Sequence, residues 1–379
     1  MRVLPTFFSV LYNNKNITAD IAKYMLSISY SDKTDGESDE VQIELEDVDA
    51  LWQNSWYPEK GAKLTVKIGS LNCGVFEIDE IEIKGPPSVV SIRGMATGIK
   101  SSLRSKKSDA HENKTLKQIA QKIATAQKLT IVGEIPEITL GRVTQNKETD
   151  LSFLKRIAGM YGIIFSVRDT KIVFTSVYDL EKRSHSFELD ITDISSYSLK
   201  DKADAPKKTK SIHASAKDNK KIEADKQFAD WQKEEGYKYP DSASEDEETE
   251  YSYSENKQQS EHKAKAVMHL ASSNQFEGNI DLEFNPLACA GNNFQLNGIG
   301  KLSGKYHIKA STHKIDKSGG ATTSCEIKRL QTPTKKQQIT HKKKKKQNNS
   351  VPVSSVNMQD YGLYGIGSNL VKRNDLFSK

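Results

Sequence analysis

Apolar and polar residues alternate with a period of two through much of the chain. VQIELED places Val41, Ile43 and Leu45 on one face and Gln42, Glu44 and Glu46 on the other, as a half-buried antiparallel strand does. TFFSVLY and YMLSISY precede it and read as strands on either side of a polar turn at Asn13–Asn16, and SDKTDGESDE, from Ser31, reads as a loop. KLTVKIG, GVFEIDEIEIKG and SVVSIRG follow it. Phe76, Ile78, Ile81 and Ile83 alternate with acidic residues except at Asp79-Glu80, where a β-bulge would restore the register.

The same layout returns late in the chain. Gly61, Gly74, Phe76 and Ile78 match Gly291, Gly304, Tyr306 and Ile308: a glycine opens a short strand, a second glycine lies thirteen residues on, and an aromatic residue and an isoleucine follow. An alternating segment precedes each copy (VQIELED, NIDLEFN) and another closes it (SVVSIRG, TSCEIKR). Short strands with glycines at the corners read as a small antiparallel barrel or sandwich, and two copies read as a duplication.

Between the copies the period becomes helical. Thr115 opens TLKQIAQKIATAQKL, with Leu116, Ile119, Ile123 and Ala126 in 3–4 spacing. Asp150 caps a second helix whose stripe is Leu151, Phe153, Leu154, Ile157 and Ala158. IIFSV and KIVFT form a hairpin about Arg168-Asp169-Thr170, which completes a small α+β domain. Ile99 to Asn113 is basic and polar and reads as a linker. SFELDITDISSYSL resumes the strands, SIHASAK is a candidate for one more barrel strand, and SEHKAKAVMHLASSNQ, from Ser260, is helical. The expected organisation is a first β-barrel over 1–98, a small α+β domain over 99–178, and a second β-barrel over 179–331. An acidic, tyrosine-rich surface insertion, mobile in part, interrupts the second barrel at 219–260, and a basic linker and C-terminal tail occupy 332–379.

Composition adjusts this picture in a few places. At 379 residues there is room for two or three domains, using about 100–200 residues for each. The apolar share is 36% and the charged share 28%, so part of the length belongs to solvated segments rather than core. The net charge of +6 is concentrated in Lys207–Lys221 and Lys342–Lys346, while Ser244–Glu250 is acidic. Charge blocks of this kind mark solvated segments, and no aromatic residues interleave with the lysines to stack bases, so no specific nucleic acid is expected. Past the lysine run, YGLYGIGSNLVKRNDLF regains apolar residues, as a tethered docking peptide or as an exposed terminus without a role.

Cys73, Cys289 and Cys325 lie far apart and form neither a zinc motif nor a disulfide framework, which fits a reducing cytoplasm. The apolar run at the start reads as a first strand rather than a signal peptide. No stretch approaches the ~18–20 apolar residues that cross a bilayer, so no membrane-spanning segment is expected.

No catalytic, cofactor-binding or metal-ligating set emerges. His307 and His313 flank a strand and its loop, and no HExxH is present. GIGKLSG, from Gly298, leads into a strand rather than a helix N-terminus, so its glycines make a barrel corner instead of a phosphate cradle. Asp79 and Glu80 are neighbours in a strand and point to opposite faces. Trp52 and Trp56, four apart, suit a helical face; core or subunit contact is favoured over a ligand cage or sugar platform. The chain is therefore expected to be neither an enzyme nor a cofactor carrier.

SDEVQIELEDVDALWQNSWYPEKGAKLTVKIG, KTLKQIAQKIATAQKL, TDLSFLKRIAGMYGIIFSV and AGNNFQLNGIGKLSGKYHIKASTHKI, in that order, resemble the late control D family, the baseplate hub proteins of contractile phage tails. The fold is also similar to the N-terminal part of type VI secretion spike proteins. The resemblance covers about residues 1–331 and is carried by the order of the pieces. It implies a mainly β fold with an α+β insertion: two tandem tube-like antiparallel β-barrels plus a small helix-containing domain. It also implies a homotrimer, made in the bacterial cytoplasm and assembled into the tail baseplate of a virion or phage-tail-like particle.

Three chains with two barrels each present six similar modules, so a trimer can mate with a hexameric tail tube protein above and a trimeric central spike protein below, with baseplate wedge proteins around it. The spike is expected to be a separate polypeptide, since nothing past Leu330 has the strand periodicity of a needle. The competing reading is a cell-wall-binding or peptidoglycan-degrading tail component, prompted by a loose likeness of Leu116–Gly162 to glycan-binding LysM units.

Overall fold

The computed structural model describes residues 7–333 apart from 35–37, 97–104, 169–170, 203–205, 216–219, 228–229, 231–236, 239–243, 252–253, 274, 318–319 and 331. The C-terminal tail and its lysine run lie outside the described residues.

Seven strands and a short helix make the first module: β1 (Phe8–Tyr12), β2 (Lys15–Asn16), α1 (Thr18–Ala22), β3 (Met25–Lys33), β4 (Glu40–Glu46), β5 (Lys63–Ile68), β6 (Leu71–Lys84) and β7 (Val89–Ala96). They pair antiparallel in the order β2-β1-β5-β6-β7-β4-β3. Alternation dictates the core: Val41, Ile43, Leu45, Leu64, Val66, Phe76 and Ile78 are buried, and their polar neighbours face outward.

The helical domain follows: β8 (Lys107–Thr115), α2 (Leu116–Gln127), β9 (Thr130–Val132), β10 (Thr139–Glu148), α3 (Asp150–Gly159), β11 (Ile163–Arg168), β12 (Lys171–Ser176) and α4 (Val177–Lys182). Thr115 caps α2 through a capping box with Gln118. The buried stripe of α2 includes Ala124 and Gln127, whereas Ala126 is exposed. For α3 the cap is Thr149, whose hydroxyl accepts from the Ser152 N–H, rather than Asp150. Asp150 begins the helix, buried, and accepts from Lys107 Nζ at 2.6 Å and Gln145 Nε2 at 3.0 Å. Much of the stretch read as a linker is β8, which pairs with β10. Its side chains are mostly polar because both faces are largely exposed to water, leaving buried His111 as its main contact with the core.

The chain then forms β13 (Phe187–Asp190) and β14 (Ile194–Asp201), makes an excursion through β15 (Pro206–Ser215), β16 (Lys220–Gln227), β17 (Tyr237–Lys238), β18 (Ser244–Tyr251) and α5 (Lys257–Ser273), and returns in β19 (Phe276–Glu283), β20 (Asn293–Asn297), β21 (Gly304–Asp316), β22 (Gly320–Arg329) and β23 (Thr332–Pro333). Ser211–Ser215 of SIHASAK do not join the barrel. They lie in β15, antiparallel to β16 and parallel to β18, and the last two residues of the segment fall outside the described residues. The acidic block is β18 rather than a solvated run, because the basic strand beside it supplies counter-charges: Lys208 and Lys210 each approach Glu247 at 3.8 Å, and Lys208 approaches Asp225 at 3.0 Å. α5 covers this sheet, with the Thr209 hydroxyl donating to Ala264 O at 2.8 Å. Glu255 and Gln259 then pin it to β10, Glu255 accepting from the Gly141 and Arg142 N–H groups and Gln259 Nε2 donating to Thr139 O at 2.6 Å.

The duplication is visible strand by strand. β1, β3, β4, β5, β6 and β7 correspond to β13, β14, β19, β20, β21 and β22, with the same neighbours throughout. Gly61 N–H donates to Ile78 O at 2.8 Å, and Gly291 N–H to Ile308 O at 2.9 Å. Leu64 faces Phe76 and Phe294 faces Tyr306. The expected bulge after Ile78 has its twin after Ile308, and a bulge after Met25 has its twin after Ile194. One lane is reused in the opposite direction: β1 runs antiparallel to β5, β13 parallel to β20. β13 passes to β14 through a single 3-10 turn (Ile191–Asp193), where β1 returns through β2 and α1.

Gly61 and Gly291 hold φ of +84° and +91°, and a side chain there would meet open space at the first and only Thr34 Cγ2 at 3.7 Å at the second. Each Gly→Ala change should therefore cost the same ~1–2 kcal/mol of backbone strain. Urea unfolding of G61A and G291A checks this: matched losses support equivalent corners, and an unperturbed variant would contradict them.

Candidate functional site

The two modules are joined edge to edge. β3 of the first pairs antiparallel with the C-terminal half of β21 of the second, Ser27–Lys33 against Ala310–Asp316, so both modules lie in one thirteen-stranded sheet. The joint is sealed on both faces. On the outer face Ser31 Oγ lies 3.2 Å from Thr312 Oγ1, and past the last strand pair the backbone Lys317 N–H donates to Leu26 O at 2.9 Å. On the inner face Ile28 and Ile315 are fully buried, and Ile315 belongs to the core of the first module. At the strand end the Thr34 hydroxyl donates to Lys309 O at 2.9 Å.

Polar side chains set the register inside this seam. His313 is fully buried, stacked on Tyr30 with ring centroids 6.1 Å apart, and its Nδ1 lies 3.0 Å from Thr323 Oγ1. Tyr30 donates to Asp39 Oδ2 at 3.2 Å, and buried Asp32 accepts from the Ala290 N–H at 3.0 Å. Burial disfavours the imidazolium and lowers the His313 pKa to about 4. His307, also buried, is lowered well below its ordinary value, first by desolvation and then by Lys328.

Residues singled out in the sequence fall at several places. His307 and His313 both lie within β21 and are buried, on opposite faces of the strand because a bulge separates them, rather than on a strand and its loop. Asp79 is the bulge residue, and Glu80 accepts from Arg93 Nη1 at 3.0 Å. GIGKLSG makes a corner through a 3-10 turn (Gly300–Leu302) that feeds β21. Trp52 and Trp56 lie in successive turns, not on a helix: Trp52 is buried, Trp56 is partly exposed, and their rings meet edge to face at 5.4 Å. Beside them is a cleft of about 410 Å³ that includes Tyr12, Ile17 and Pro58. Among the described residues, no group of His, Cys, Asp and Glu could hold a metal ion, and no helix is long and apolar enough to cross a membrane.

No protein-family model matches the chain. In sequence it is 30% identical over 174 residues to the probable baseplate hub protein of Escherichia phage 186, and 32% identical over 174 residues to that of Escherichia phage P2. Each match covers 44% of this chain and 44% of the relative, so the chain spans just under half the length of the relatives it matches. In structure it is similar to the prophage MuSo2 43 kDa tail protein from Shewanella oneidensis, with a TM-score of 0.66 at 13% identity, covering 85% of this chain and 98% of that one.

His313 gives the seam a pH dependence of known sign. A folded-state pKa below the ordinary 6.5 stabilises the folded chain above that value, and the stabilisation is lost as pH falls towards about 4. Between neutral pH and pH ~4, native protein should lose up to about 3 kcal/mol more stability than His313→Gln. Urea titrations at several pH values measure the difference, and parallel pH profiles would refute it. Over the 174 residues matched the chain is similar in sequence to the probable baseplate hub proteins of these phages, and its fold is similar to that of a phage tail protein.

Proposed function

We propose that the chain is the structural hub of a contractile tail baseplate: a homotrimer that joins a hexameric tail tube to a trimeric central spike, with wedge proteins around it. One observation carries this reading. The chain folds the same six-stranded module twice and fuses the copies into a single sheet. Three such chains offer six near-equivalent modules to a sixfold ring while remaining threefold overall, and closed rings of this kind avoid open-ended assembly.

In this reading residues 1–98 and 179–331 are the ring-forming units, the domain at 99–178 with the excursion docked on it faces the surrounding baseplate, and 332–379 is a tether. The role is mechanical rather than catalytic. The relatives in phages 186 and P2, named as probable baseplate hub proteins, support the assignment over the stretch that they share.

Light scattering on the chain, expressed alone or with its spike, should give three copies of the 42.4 kDa protomer per particle, the mass of the spike being added where it is bound. A stable monomer under both conditions would sink the hub reading.

A further inference from the structure

The sheet of the excursion ends in an unpaired strand. Its order is β16-β15-β18, so β15 pairs with one side of β18 and, among the described residues, no strand lies on the other. The sequence of β18, SEDEETEY, puts acids on both of its faces. Glu247 stands opposite Lys208 on the face turned away from α5, whereas Glu248 and Glu250 stand opposite Thr209 and Ser211 on the face that α5 covers.

Cations within the fold answer only part of this charge. Lys208 and Lys210 share Glu247 at 3.8 Å, and Lys208 is nearer to Asp225, at 3.0 Å. Glu250 lies within electrostatic reach of Lys263 on α5. Glu248 makes no ion pair among the described residues, and desolvation, followed by the charge of Glu250, holds its carboxyl above the ordinary value.

We infer that the lysine run of the chain's own tail, Lys342–Lys346, lies along the open edge of β18 and adds a strand to that sheet. The hub reading is not needed for this. Three observations name the occupant. The first is continuity: the tail meets the excursion where it begins, because β23 pairs antiparallel with β17, Thr332 opposite Lys238 and Pro333 opposite Tyr237. The second is length. Ser244 opens β18 seven residues after Tyr237 and so lies at most ~25 Å from it, while Lys342 comes nine residues after Pro333, a reach of ~30 Å. The third is charge. A strand with acids on both faces is complemented by one with cations at successive positions, and Lys342–Lys346 is the one run of five lysines in the chain. Lysines along an exposed edge also discourage its pairing with other chains.

Carbodiimide coupling, which joins a carboxylate to an amine in contact with it as an amide, tests this on the full chain. At ~0.1 M salt, chymotryptic peptides should carry amides between Ser244–Tyr251 and Lys342–Lys346. Their yield should fall several-fold at ~1 M salt, where the screening length shrinks from ~10 Å to ~3 Å. In a mixture of isotopically labelled and unlabelled chains, each amide should join peptides of one label. Coupling of β18 to Lys208, Lys210 and Lys263 alone would overturn the inference, and mixed-label amides would overturn it by making a second copy the occupant. Glu245→Lys with Glu248→Lys should lower the yield several-fold, and adding Lys343→Glu with Lys345→Glu should restore it; failure to restore would count against contact along this edge. None of these outcomes bears on the number of copies, which light scattering decides separately.

Discussion

The constraint on which this structure rests is that the backbone groups of a strand edge need partners. A six-stranded module with a buried inner face still ends in two strands whose outward N–H and C=O groups are unmatched. Folding the module twice in one chain lets the β21 edge satisfy β3. That single pairing converts two small cores into one sheet. Its side chains complete the first core as well: Ile315 and Cys289, from the second module, are packed among Val41, Phe76 and Val90.

Polar groups at the seam make sense in the same terms. Side chains alternate along a strand, so a slip of one residue would turn Lys314 and Ser29 inward in place of Ile315 and Ile28. The stack of His313 on Tyr30, the Tyr30 bond to Asp39 and the Asp32 bond to the Ala290 amide are geometric conditions that a slipped register does not meet. Apolar contact alone tolerates small displacements; buried hydrogen bonds left unpaired do not. A neutral, buried histidine is the form of that residue that can serve in such a site.

Repetition was the legible part of the chain. Glycines thirteen residues apart, followed by an aromatic residue and an isoleucine, mark corners that only a glycine adopts without strain, and the Asp79-Glu80 slip marks a real bulge. The seam was not legible, because pairing between residues nearly three hundred positions apart leaves no local signal. KYHIKASTHKID nonetheless carries one trace of it: Ile308, Ser311, His313 and Ile315 all fall on one buried face once the bulge at Lys309 is allowed for. The strands β15, β16 and β18 were hidden for another reason. Their charges read as solvation when each strand is taken alone, and become cross-strand pairs only when a lysine-rich and a glutamate-rich strand lie side by side. The short helix α1 and the hydroxyl cap of Thr149 are decisions of a residue or two, below what periodicity detects.

The two modules also show where a duplicated fold can diverge. Six residues, 34–39, connect β3 to β4, whereas the equivalent connection from β14 to β19 runs through 202–275. Closure entropy grows only with the logarithm of loop length, so lengthening of this size costs about 2 kcal/mol if the loop is slack. The excursion is not slack: it carries its own sheet under α5 and is fastened to β10 through Glu255 and Gln259. A loop at a strand end can therefore take in a folded unit without disturbing a single pairing inside the module. Insertion within β6 or β21 would instead break the long strands that serve two neighbours at once, and it is those strands that retain the same bulge in both copies.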